Sequence, residues 1–160
     1  MKKYLPILLL LYSLSMFSQQ TMTDTITSQK LNEDRVITIS LPPSYDKNPG
    51  QRFPLMVLLD GDFLLDPFQG ALGYGYYWDD LPEVVIVAVH QNKNNERETD
   101  TTVDEATGLP SEKGEKFFEF LGMELIPSIQ KQYRIAPFKI IAGLDVTAAF
   151  LNFYLYKDNP

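Results

Sequence analysis

Apolar and polar residues alternate through "DTITSQKLNEDRVITISLPPSYD", in two segments around Asn32-Glu33-Asp34. Ile37, Ile39 and Leu41 fall on one face. The period of two predicts a hairpin of antiparallel strands closed by a polar turn. Pro42 and Pro43 end it, because proline cannot keep donating to a ladder. The pattern then changes. Leu55–Leu59 and Val84–Val89 are continuous apolar runs, and Phe138–Ala142 is a third, broken only by Lys139. Such runs predict strands buried on both faces, in a parallel sheet covered by helices.

Between the later runs the period becomes helical. In "SEKGEKFFEFLGMELIPSIQKQY", Phe118, Leu121, Leu125 and Ile129 share one helical face, and Pro127 is expected to kink it. "VTAAFLNFYLY" is apolar almost all round and predicts a buried helix. "YDKNPGQR" and the segment between the first two runs, with "GYGYYWDD", read as loops. Strands alternating with helices predict an α/β fold: a mostly parallel sheet, helices on both faces, and an N-terminal antiparallel hairpin. Ligands bind such sheets at the carboxyl ends of the strands. Three places qualify: the loop after Leu59, the loop after Val89, and the turn Gly143–Val146.

The chain begins differently. "MKKYLPILLLLYSLSMFSQQ" has a basic start at Lys2 and Lys3, an apolar run from Leu5 to Leu11, and a small or mixed stretch to Ser18. This predicts an export signal over residues 1–18 and a mature domain over 19–160, periplasmic or secreted. The apolar run is too short to span a bilayer comfortably, and no later segment predicts a membrane span. Of the 160 residues none is cysteine, which excludes disulfides, thiolate metal sites and a lipid-modified N-terminal cysteine. The net charge of -7 opposes binding to nucleic acid or to an anionic lipid surface.

The chemistry concentrates in "FKIIAGLDVTAAFLNFYL". A strand, a sharp turn and a helix form the geometry of a nucleophile elbow, with Asp145 at the tip. Such a turn requires small residues two positions to each side. Gly143 suits this, whereas Thr147 is β-branched. Aspartate is among the few non-glycine residues that tolerate positive φ. Asp145 has a second reading as a cap of the following helix. In this architecture one oxyanion-hole N–H comes from the loop after the first apolar strand, here Gly61 or Asp62. The other comes from the residue after the tip, Val146.

Other candidates read more plainly. Asp60, Asp62 and Asp66 lack the remaining ligands of a calcium loop, so no metal and no cofactor is expected. His90 reads as a solvated loop residue that also stands where it could line a pocket mouth. Tyr74, Tyr76, Tyr77 and Trp78 read as a loop packed on the sheet edge, with a stacking surface for a ligand or partner as the alternative. The acidic run Glu96–Glu105 reads as solvated surface.

Several blocks, in order, resemble the esterase family of α/β-hydrolases that includes the enterochelin-type siderophore esterases and esterase D. "ITISLPPSYDKNPGQRFPLMVLLDGD" is similar to that family's strand, "LPxxY" and "YPVLYLLDG" segments. "VVIVAVHQNKNNERETDTT" is similar to its "VIVVGI…R…DLTP" segment, with Arg97 and Asp100 on the arginine and the aspartate. "FFEFLGMELIPSIQKQYRIAPFKIIAG" is similar to its long helix and following strand. The resemblance implies hydrolysis of a carboxylic ester through an acyl-enzyme, and a small ester or siderophore-like ligand. It also implies that this chain is the N-terminal portion of the fold, because the family continues with further strands.

The departures are at the elbow. Where the family's motif resembles G-H-S-x-G-G, this chain has Gly143, Leu144, Asp145, Val146, Thr147 and Ala148. The family's acid and histidine lie downstream of the elbow, whereas the single histidine here is His90. The expectation is an exported, esterase-like protein impaired as a serine esterase by Asp145. One alternative is an Asp-nucleophile hydrolase completed by a downstream acid and histidine. Another is a binding or accessory protein on a hydrolase scaffold.

Overall fold

The structure is a computed structural model that describes residues 20–92, 94, 97–104 and 106–152. The export signal read over residues 1–18 lies outside the described residues, as do the two ends of the acidic run and the chain after Asn152.

The hairpin is present. β1 (Gln20–Ser28) and β2 (Glu33–Leu41) pair antiparallel, from Gln20 opposite Leu41 to Ser28 opposite Glu33. Asn32 closes the turn at φ 54°, a conformation asparagine adopts at little cost. β3 (Phe53–Leu58), β4 (Val85–Val89) and β5 (Ile135–Ala142) complete a five-stranded mixed sheet, in the order β1-β2-β4-β3-β5. β3 runs parallel to β4 and β5, and β2 meets β4 antiparallel.

The continuous apolar runs explain the two covered faces. Leu55, Val57, Val85, Val87 and Val89 join Ile37 and Ile39 on one face, against Phe118, Phe120, Leu121, Leu125, Ile129 and Phe150. Met56, Leu58, Ile86 and Ala88 form the other, under Leu64, Leu65, Phe68 and Leu72.

Three expectations are corrected. The segment after Leu59 is a helix, α1 (Gly61–Tyr77), where a loop was read. Its glycines and Pro67 mask it, yet Leu64, Phe68 and Leu72 recur every fourth residue. Burial of that stripe outweighs poor propensity. β5 is not buried on both faces: it pairs with β3 alone among the described residues, and Phe138 is 63% exposed. The last helix, α5 (Val146–Leu151), buries Thr147 and Phe150 but exposes Ala148 and Ala149, so over its described residues it is two-faced.

The long helical segment is built in pieces. α2 (Arg97–Thr101) precedes α3 (Glu112–Glu119), which Ser111 caps by accepting the Gly114 N–H at 3.1 Å. A π-helical turn over Phe120–Leu125 leads into α4 (Ile126–Gln132). The irregularity expected at Pro127 is that π turn, just ahead of the residue without an N–H. Phe118, Leu121, Leu125 and Ile129 are all buried, as their spacing predicts. Among the described residues no helix is long and apolar enough to cross a membrane.

Candidate active site

Leu58 stands level with both Ala88 and Ala142, so the parallel strands end together. The three segments singled out in the sequence therefore meet at one edge. They are the start of α1, the end of β4, and the β5–α5 turn.

Asp145 occupies the tip of that turn at φ 58°, ψ -115°. A non-glycine residue is strained there. Its side chain is exposed and does not cap α5, so the capping role is corrected; the main-chain carbonyl of Asp145 accepts the Ala149 N–H at 2.9 Å. Gly143 is small for a steric reason. A Cβ there would stand 2.4 Å from Thr147 Oγ1 and 2.9 Å from its carbonyl carbon. Thr147, an awkward choice from sequence, is buried and useful. Its Oγ1 accepts the Leu144 N–H at 2.7 Å and donates to Asp60.

Asp60 is the residue that sequence reasoning undervalued. It is fully buried at the end of β3. One carboxylate oxygen accepts from Leu144 N–H at 2.8 Å and from the Thr147 hydroxyl. The other accepts from Arg97 Nε at 2.5 Å. Arg97 also donates to the Leu144 carbonyl, so both polar groups that Leu144 offers are held from below. The hydrogen bond to Asp60 raises the Arg97 pKa above the usual guanidinium value against the effect of burial, with the Asp60, Asp145 and Glu98 charges adding to it. The sequence did carry a signal: an acid directly after a fully apolar strand must find donors, since a buried unpaired carboxylate is prohibitive.

Gly61, Asp62 and Val146 open α1 and α5, so their N–H groups have no intrahelical acceptor. Gly61 lies flat on β4, where a Cβ would meet the Val89 carbonyl oxygen at 2.8 Å. The Asp62 carboxylate accepts from His90 Nδ1 at 2.7 Å and from Gln91 N–H at 3.0 Å. Burial pushes the Asp62 carboxyl up, but the Gln91 N–H and His90 together hold it below the usual range. His90 is thus no solvated loop residue: it is half-buried, with Nε2 2.7 Å from Thr38 Oγ1. The three loop acids diverge, with Asp60 inward, Asp62 on His90, and Asp66 exposed.

Arg97 and Asp100, the two residues matched by resemblance, take different partners. Asp100 pairs with Arg35, which is buried on β2 and lies 5.4 Å over the Phe117 ring. Burial raises the Asp100 pKa from its ordinary value, although Arg35 and Lys113 pull it down. A void of about 10 Å³ separates this pair from the elbow, lined by Arg35, His90, Arg97, Asp100 and Thr147 among others.

The aromatic cluster is elsewhere. Tyr74, Tyr77 and Trp78 are exposed on the last turns of α1 and the residue after it, and Trp78 meets both tyrosines edge-to-face, with ring centroids 5.1 Å apart for Tyr77–Trp78. Tyr76 alone turns inward, its hydroxyl accepting the Val84 N–H at 3.1 Å. A helix of 17 residues spans about 25 Å, so this patch lies far from the elbow.

Residues 28–148 match the model of the Esterase family, described as "Putative esterase". The chain belongs to this esterase family. No curated protein sequence matches it. A crystal structure of an uncharacterised protein from Capnocytophaga ochracea is 30% identical, with a TM-score of 0.79 over 87% of this chain. An enterobactin esterase from Shigella flexneri, solved in the presence of enterobactin, is 18% identical, with a TM-score of 0.66 over 82%. A siderophore hydrolase from Aspergillus nidulans is 16% identical, with a TM-score of 0.70 over 85%. The chain spans 37%, 32% and 53% of those three proteins respectively. The family membership and the mixed sheet with its covering helices agree with an α/β-hydrolase-type esterase fold.

Proposed function

We propose that this chain is an exported esterase-fold protein that holds a small ester or siderophore-like ligand but does not turn it over as a serine esterase. The observation that carries this reading is Asp145 at φ 58° on the elbow tip, where an acyl-enzyme requires a hydroxyl. A carboxylate there offers no hydroxyl to be deprotonated by a base and acylated. Gly61, Asp62 and Val146 open two helices, and such helix-opening N–H groups support a hole for an ester carbonyl at this edge of the sheet. The nature of the ligand is supported by the enterobactin and siderophore-hydrolase neighbours, and export by the leader pattern of residues 1–18.

The test is hydrolysis of a short-chain aryl ester by the wild type, Asp145→Ser and Asp145→Ala, alongside calorimetric titration with enterobactin. The expected result is binding with no wild-type turnover above buffer. Wild-type turnover that Asp145→Ala abolishes would refute the reading and make Asp145 a nucleophile.

A further inference from the structure

Thr38, His90 and Asp62 form a hydrogen-bonded chain at the helix turn that carries the oxyanion-hole candidates Gly61 and Asp62. They come from β2, the end of β4 and the first turn of α1. Each end of the imidazole is engaged at 2.7 Å, by Asp62 at Nδ1 and by Thr38 at Nε2. A carboxylate only accepts, so Nδ1 carries the proton. In the neutral ring Nε2 is then an acceptor, and the buried Thr38 hydroxyl supplies its hydrogen. Asp62 also takes the Gln91 N–H, so its carboxylate ties the opening of α1 to the end of β4. Close packing of Gly61 on Val89 fixes the same peptide from the other side.

We propose that His90 is a positioning residue: through the Asp62 carboxylate it ties the first turn of α1, with the Gly61 and Asp62 peptides, to the end of β4. The proposal rests on the site assigned above. Protonating the ring strengthens its pull on Asp62 and forces Thr38 Oγ1 to accept instead of donate, so this tie responds to pH. The other charged groups on the same void are Arg35 on β2 and Arg97 and Asp100 on α2.

Amide ¹⁵N–¹H spectra of the chain, recorded against pH, test this. The Gly61, Asp62 and Gln91 signals are expected to shift with the midpoint of the His90 ring. His90→Asn, whose amide can still donate to Asp62, should keep their neutral-pH positions and abolish the pH response. His90→Phe should displace all three and speed Gln91 amide exchange by about tenfold, the loss of one charge-assisted bond. Amides that ignore the ring's titration, or that His90→Phe leaves in place, would overturn the proposal. The wild-type titration decides the matter even where a variant fails to fold. Ester turnover by the wild type would overturn the functional reading without moving these signals.

Discussion

The carboxylate of Asp60 holds the backbone N–H of Leu144 at 2.8 Å, across 84 residues of sequence. Leu144 precedes the elbow tip, and its carbonyl is held by Arg97, itself bound to Asp60. The strained conformation of Asp145 is therefore set from beneath by an ion pair, with Thr147 as the third member. Backbone strain persists only where surrounding contacts over-determine it.

Removing that support should be costly. Asp60→Ala removes the acceptor shared by the Leu144 N–H, the Thr147 hydroxyl and the partly exposed Arg97. The expected loss is about 1.5–3 kcal/mol in urea unfolding, the range for hydrogen bonds to a charged group. A loss under about 1 kcal/mol, the worth of one ordinary hydrogen bond, would show that the ion pair does not support the elbow.

The tip itself should be improvable. Asp145→Gly removes the side chain that makes φ 58° unfavourable. Relief of strain outweighs the entropy of glycine here, for an expected gain of about 1 kcal/mol. Asp145→Val should lose stability instead, since β-branched residues tolerate this region worst. Equal melting temperatures for the three proteins would contradict the strained geometry.

Gly143→Ala should destabilise by about 1–3 kcal/mol, because the new methyl meets Thr147 rather than open space. Gly50→Ala is the control. Nothing lies within 4 Å of a Cβ at Gly50, so its change should be close to neutral.

Two carboxyls should depart from their ordinary values in opposite directions. Asp62 is held down, so it binds fewer protons in the folded chain than in the unfolded one. Its contribution is present above the unfolded pKa and is lost as pH falls through the folded one. Asp100 is held up by burial, so the folded chain binds more protons there, and stability declines as pH rises through its folded pKa. Carbon-detected titration of the two side chains checks both signs. Asp62→Asn should flatten the acid limb of the stability profile.

Much of the fold was legible because its signals are local. The period of two in β2, the apolar runs of β3 and β4, and the stripe Phe118–Leu121–Leu125–Ile129 each report a buried face directly. α1 was not legible: four glycines and a proline argue against a helix, and only the sheet beneath it rewards Leu64, Phe68 and Leu72 for aligning. β5 looked like an inner strand because composition reports hydrophobicity and not the number of neighbours.

The candidate site divides the same way. The sequence by itself determined a strand, a sharp turn at Asp145 and a helix, since a glycine, an acid and a helical run follow an apolar stretch. It also determined that no serine stands at the tip. Only the tertiary structure decided what holds that tip and what lies beside it. Asp60 with Leu144, Asp62 with His90, and Asp100 with Arg35 are separated by 84, 28 and 65 positions, and no local pattern pairs them. They meet because β3, β4 and β5 end at one level, and a buried carboxylate must take whatever donors the folded chain brings within reach.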